Sequence, residues 1–253
     1  MSEEKQVAKK EATNVVLAEL ADQIVADAGK GLQNVKTEDM SIPRLAIIQS
    51  GSPQRKKKDD KYIEGAEEGH VFNTVTNTLY KGSIKVVPCE FMKSYVEWVP
   101  REKGGGLVQT HESRPSDLTK NENGRFVLPN GNEVADTADH YVMVVNEDGS
   151  YEPAVMSMTG SLLSVSRNWL TRMKLQKEVV NGKMIEPPTF YYAWEISTRE
   201  KDNDKGSWFV YNVGDPSPIT NADLYKDAKA LSESIKRGEK KAAAVEDGDD
   251  IPF

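Results

Sequence analysis

The sequence predicts a mainly β fold, an antiparallel barrel with inserted loops and a few helical appendages. Two observations carry that expectation. Short runs rich in Val, Ile, Tyr, Phe and Trp recur between turn signals from residue 41 to residue 213, as strands of a barrel do. Only three stretches show the three-and-four spacing of a helix.

Residues 1–40 read as an appendage. Val16, Leu17, Leu20, Ile24 and Ala28 form one stripe and predict a helix from Glu11 to Ala28. Gly29-Lys30-Gly31 ends it and is too short to be a phosphate loop. The body begins with a strand-like run, Ser41 to Gln49. A basic loop follows, Arg55-Lys56-Lys57-Lys58. Such a cluster is usually a solvated loop, yet beside strands it could contact phosphates.

Residues 70–100 read as β. Val71 to Val75 leads to a turn at Leu79-Tyr80-Lys81-Gly82, and two runs then flank Pro88-Cys89. In the second, alternation places Phe91, Lys93, Tyr95 and Glu97 on one face and Met92, Ser94, Val96 and Trp98 on the other. Rings and a cation on one face suit base stacking with phosphate neutralisation. They suit a core equally well, and the sequence leaves both readings open.

Arg101 to Arg125 is a polar excursion whose Gly104-Gly105-Gly106 predicts a flexible loop. Asp139 to Val145 is a strand, and Asn146 to Gly149 turns it into a hairpin with Tyr151–Met158. An amphipathic helix is predicted from Gly160 or Ser161 to about Val180. Its apolar side includes Leu162, Trp169 and Met173, and Arg167, Arg172, Lys174 and Lys177 lie on or near the other. Thr189–Ser197 alternates as a strand with Phe190, Tyr192, Trp194 and Ile196 on one face, and a loop at 199–206 joins it to Ser207–Val213. A last helix, Asn221 to Lys236, carries Leu224, Ala228, Leu231 and Ile235 as its stripe. This gives three parts: an appendage at 1–40, a body at 41–238 and an acidic tail at 239–253. A five-stranded oligonucleotide-binding barrel accommodates the strands and the long inserted loops.

Composition excludes several classes. At 38% hydrophobic and 29% charged residues the chain reads as soluble. It has no long apolar run that would span a membrane. The N-terminus shows no secretory signal. The single cysteine, Cys89, rules out an internal disulfide and fits a reducing cytoplasm. His70, His111 and His140 lie far apart, and Asp136 and Asp139 have no clustered companions. Neither a zinc site nor a metal nuclease is expected, and no cofactor is implied. Ser157 to Ser166 lacks a nucleophile elbow. Binding is therefore expected rather than catalysis.

Net charge is −7, unevenly placed: −3 in residues 1–40, −4 in residues 246–250, and zero between. The chain ends Glu246-Asp247-Gly248-Asp249-Asp250-Ile251-Pro252-Phe253. Repulsion, Gly248 and Pro252 oppose a helix. A terminal aromatic beside a carboxylate suits a pocket with an apolar floor and a cationic rim. Asp249, Asp250, Ile251, Pro252 and Phe253 are accordingly the expected partner-binding residues.

Those five residues resemble the terminal peptide of bacterial single-stranded DNA-binding proteins, which recruits replication and repair enzymes. Phage proteins of that functional class end similarly. The body shows no match to the bacterial N-terminal domain. The resemblance implies a sequence-nonspecific single-stranded DNA binder of phage type, acting in replication, recombination and repair, whose tail recruits partners and competes with DNA for a basic groove. The expected DNA-binding residues are Arg55, Lys56, Lys57, Lys58, Tyr80, Phe91, Lys93, Tyr95, Trp98 and Arg101. Self-association is left open. The alternative is an adaptor whose tail engages a DNA-processing enzyme while the body binds only protein; a nuclease or annealing factor is a third reading.

Overall fold

The structure is a computed structural model and describes residues 20–35, 40–204, 206–239 and 242. The chain forms two compact units, residues 1–40 and 41–253. In the first, α1 (Ala21–Ala26) has no buried residue. The part of the expected helix before Leu20 lies outside the described residues.

The second unit is mainly β, as expected. Its strands are β1 (Arg44–Ile47), β2 (Val71–Asn73), β3 (Leu79–Tyr80), β4 (Ile84–Trp98), β5 (Leu107–His111), β6 (Thr119–Lys120) and β7 (Phe126–Val127). Then follow β8 (Glu133–Val145), β9 (Tyr151–Met158), β10 (Glu178–Val180), β11 (Lys183–Ile185), β12 (Tyr192–Asn203) and β13 (Gly206–Pro218). Among the described residues two α-helices complete it, α2 (Leu162–Leu175) and α3 (Ala222–Lys236).

One curled sheet runs in the order β13-β12-β4-β8-β9-β1-β2-β3. Every pair on that path is antiparallel except β1 with β9, which makes the barrel-like sheet mixed. Side chains tie β13, at one end of this path, back to the β1 segment. The Gln49 amide donates to the Phe209 carbonyl and accepts from its N–H, both at 2.9 Å. The Tyr211 hydroxyl donates to the Leu45 carbonyl at 3.0 Å.

Along β4, β8, β9 and β12 alternation sorts residues to two cores. Val86, Val142, Val144, Ala154, Met156, Trp194 and Ile196 point into the curl. Trp169 of α2, fully buried, joins that cluster. Val87, Tyr141, Met143, Val155 and Ala193 point outward and are covered by Leu224, Ala228, Leu231 and Ile235 of α3. The Asn221 side chain caps α3 by accepting from the N–H groups of Asp223 and Leu224.

Four local expectations are corrected. The two runs around Pro88 are one strand with a bulge between Pro88 and Glu90. Proline lacks the ladder N–H, and the bulge absorbs the irregularity. The excursion after Arg101 is partly β: β5 extends the sheet along Tyr95–Trp98. Helix α2 stops at Leu175, and residues up to Val180 enter a separate hairpin, β10–β11, turned by Asn181 and Gly182 at positive φ. Finally, Phe190 lies in a 3-10 turn, Thr189–Tyr191, and not on the face of Trp194. It packs instead near Tyr225, their ring centroids 5.2 Å apart.

Candidate nucleic-acid interface

Long β4 and β8 pair from Lys85–Val145 to Trp98–Glu133. Their far ends carry β5 on the β4 edge and β7 on the β8 edge. Alternation along β4 sets Phe91, Lys93, Tyr95 and Glu97 on one face, as the sequence indicated. Their environments differ in order along the strand.

Phe91 is half-buried and anchored. Its ring lies 5.1 Å from His140, which stacks on Trp169 at 4.8 Å. His140 Nε2 and the Ser166 hydroxyl are 2.8 Å apart. Burial among these rings pushes the His140 pKa down to about 3, so the ring is neutral. Lys93 is 47% exposed, 3.3 Å from Asp136 and 5.2 Å from the centre of the half-buried Tyr95 ring. Glu97 is buried. Its carboxylate accepts from Asn132 at 2.7 Å, Gln109 at 3.0 Å and Asn130 at 3.3 Å, and lies 2.8 Å from His111. These hydrogen bonds, Asn132 foremost, hold its pKa down to about 2 against the opposing effect of burial.

Glu97 thus ties β5 and the turn before β8 to β4, and the segment 99–132 is a built arm instead of a flexible loop. Nothing in the sequence marked it: alternation placed Glu97 on the face of Phe91, Lys93 and Tyr95 and said no more. Elsewhere on the arm the Arg114 guanidinium sits over Phe126 at 4.3 Å. Arg125 pairs with Glu133 at 2.8 Å.

The other expected DNA-binding residues divide. Trp98 is half-buried on the opposite face of β4, its indole N–H enclosed without a hydrogen-bond partner. Arg101 stands exposed in the turn Arg101–Lys103 that opens the arm. Both lie at the arm end of β4, with Trp98 turned away from the face of Phe91, Lys93 and Tyr95. Arg55, Lys56, Lys57, Lys58 and Tyr80 belong to the loop between β1 and β2 and to β3, several strands away in the sheet. Lys56, Lys57 and Lys58 are exposed. Arg55 serves its own loop, reaching the Ser50 carbonyl at 2.8 Å and Glu68 at 2.6 Å. Tyr80 is half-buried and donates to Glu152 at 3.2 Å; burial and that carboxylate push its pKa up to about 12. The tail residues Asp249, Asp250, Ile251, Pro252 and Phe253 lie outside the described residues.

Asp136 and Asp139 are three apart in sequence but face opposite ways, Asp136 toward Lys93 and Asp139 toward Arg44 and Ser157. Among the described residues no three His, Cys, Asp or Glu side chains group as metal ligands. No helix among them is long and apolar enough to cross a membrane.

Taken in chain order, β4, β8, β9, β12 and β13 are five long strands with α2 between the third and fourth. Oligonucleotide-binding barrels use the face of their second and third strands and the first and fourth connections. Here α3 covers the outer face of β8 and β9 at Tyr141, Met143 and Val155. The arm at 99–132 is the first connection; it buries Glu97 on the upper β4 face and leaves Lys93 exposed.

The fold and this surface define a barrel-like β-protein with a built arm and a ring-and-cation strand face. The chain belongs to the Pam3 phage gp34-like protein family, which it matches over residues 9–241. The matched region stops short of the acidic terminus. No curated protein and no solved structure matches the chain.

Proposed function

We propose that this protein binds single-stranded DNA without sequence preference in phage DNA replication, recombination and repair. The observation that carries the reading is the upper β4 face, where exposed Lys93 lies beside Tyr95 on a strand fixed by anchored Phe91 below and buried Glu97 above. Ring and cation held rigidly together are what stacking and phosphate contact require. Arg101 extends the charge into the arm, and Lys56–Lys58 supply a second, separate lip. The acidic tail recruits partner enzymes and competes with DNA for these cations.

Oligo-dT titration at low salt tests this, with the chain truncated before Val245 so that the tail cannot compete. Binding is expected to weaken roughly tenfold in Tyr95→Ala, consistent with about 1–3 kcal/mol per stacked base. Lys93→Glu should also lower the salt slope, by about one. Truncation itself should tighten binding relative to the full chain. No binding by the truncated chain would refute the reading.

One observation favours a second reading, an adaptor whose body binds only protein. The surface that oligonucleotide-binding barrels use is sealed by α3. An adaptor would leave tryptophan fluorescence unquenched by oligo-dT and still bind a partner through its last residues.

A further inference from the structure

The outer edge of β4 changes partners along its length. It pairs with β12 from Ile84 to Val86 and with β5 from Tyr95 to Trp98. Among the described residues, no strand pairs with that edge between them. A cavity of about 270 Å³ opens there, bounded by α2, α3 and the turn before β12. Its floor is apolar, formed by Phe91, Leu170, Met173 and Phe190. A cavity of roughly 150 Å³ already accepts benzene, so one planar ring fits here with room to spare.

Two polar side chains at this floor have bonding capacity left. The Glu90 side chain is 19% exposed. Its Oε2 accepts from the Ser232 hydroxyl at 2.8 Å and meets Lys236 at 3.2 Å, and its Oε1 accepts from the Phe91 N–H at 3.2 Å. A carboxylate offers roughly four acceptor sites, so one remains, on Oε1. His140, 1% exposed, also lines the cavity. Its Nε2 meets the Ser166 hydroxyl, and its other ring nitrogen has no hydrogen-bond partner among the described residues.

We infer that this cavity takes one unstacked cytosine of a bound single strand, the ring on the apolar floor and the N4 amine at Glu90. The inference rests on the DNA-binding reading. It adds a base preference at one position of a surface otherwise indifferent to sequence. Three features select that ligand. An apolar pocket with a few convergent polar groups is what orients a small planar molecule, and Glu90 and His140 supply those groups. The open acceptor on Glu90 then chooses between pyrimidines. Cytosine presents an amine donor where thymine presents a carbonyl, and acidic side chains read that amine. A thymine carbonyl would face the carboxylate instead. The Glu90–Lys236 pair stays as it is. The third feature is position. Phe91 lines the cavity and shares its strand face with Lys93 and Tyr95, at two-residue steps of about 7 Å. One strand can thus set a base in the cavity, a phosphate at Lys93 and a further base on Tyr95.

The test titrates the full chain with fluorescein-labelled oligonucleotides by anisotropy at low salt. Three are compared: oligo-dT, the same with one central cytosine, and the same with a central pyrimidinone, which is cytosine without its amine. The cytosine oligonucleotide is expected to bind about tenfold tighter than the other two, the order that one hydrogen bond to a charged group supplies. This comparison changes only the DNA, so a folding defect cannot mimic it. Leu170→Trp, which fills the floor, should bring the three affinities together, with circular dichroism reporting that the variant is folded. Equal binding of the three by the unaltered chain would overturn the pocket and leave the DNA-binding reading standing. A cytosine preference that survives Leu170→Trp would overturn the pocket as well. Binding to none of the three would overturn both.

Discussion

Two buried titratable groups on the β4–β8 ladder show how differently the barrel and its arm are built. His140, opposite Phe91, is enclosed by rings and has one polar contact, Ser166. Glu97, six residues further along β4, is equally hidden but meets four polar side chains. Both pKa values are driven down, for opposite physical reasons. Burial among rings disfavours the charged imidazolium. Hydrogen bonds favour the charged carboxylate. The barrel end is therefore an apolar core that keeps its histidine neutral. The arm is a polar core organised by one anion. Rigidity at the proposed interface comes from the second kind of core, and the most direct way to break it is at Glu97.

Glu97→Ala carries the largest expected effect. It leaves the amides of Asn132, Gln109 and Asn130 without their acceptor, and a buried unsatisfied donor costs about 1–3 kcal/mol. A loss of about 3 kcal/mol in urea unfolding is expected. Hydrogen exchange should rise in Leu107–His111 and stay low in β9. Glu97→Gln, which keeps an acceptor, should recover part of the loss. Exchange that quickens equally in β9 would mean that the arm is no separate structural unit.

The pH dependence sharpens the contrast. The folded pKa of Glu97 lies below its unfolded value, so its contribution is complete above about pH 4.5 and is lost as pH falls toward about 2. His140 is also depressed, but it is a base. The unfolded chain takes up the proton first, so stability declines as pH falls below about 6.5, and the decline continues toward about 3. Of these two groups His140 is the one that acts between pH 7 and pH 5, and about 2 kcal/mol should be lost there through it. His140→Phe, which keeps a ring against Trp169, should flatten that stretch of the curve whatever it does to stability at pH 7. An unaltered slope would show that His140 is not the acid-sensitive group.

The same ladder shows what the sequence could reveal. The alternation in Phe91–Trp98 was legible because strand faces follow a period of two whatever lies around them. The stripe of α3 was legible for the corresponding helical reason. The fate of each residue on a face was not. Phe91, Tyr95 and Glu97 share one side of β4, yet their burial depends on α2 and on an arm contributed by residues 99–132. The parallel pairing of β1 with β9 joins residues more than a hundred positions apart, beyond any local signal. The β10–β11 turn was available: Asn181-Gly182 is a strong hairpin signal. The helical pattern, read as far as about Val180, takes in the first strand of that hairpin instead. The Gln49–Phe209 tie was hidden because a glutamine amide acts there as a piece of strand backbone.

The smallest effect is expected at that hairpin, which extends the comparison to a third kind of construction. Among the described residues, β10–β11 is held at its base. The Tyr192 hydroxyl donates to Glu178 at 2.5 Å, and Lys174 and Lys177 reach Glu186 at 2.5 and 2.6 Å. Above the base its apolar residues face solvent, Val179 at 64% and Met184 at 73% exposure. A lone two-stranded hairpin is marginal in water, so it adds little to global stability. Val179→Lys with Met184→Lys should therefore shift urea unfolding by no more than about 0.5 kcal/mol. A loss well above 1 kcal/mol would mean that these side chains are covered in solution. Hydrogen exchange decides the same point independently: fast exchange at Val179 and Met184 fits a hairpin standing clear of the barrel, and protection matching β9 would show that something packs on it.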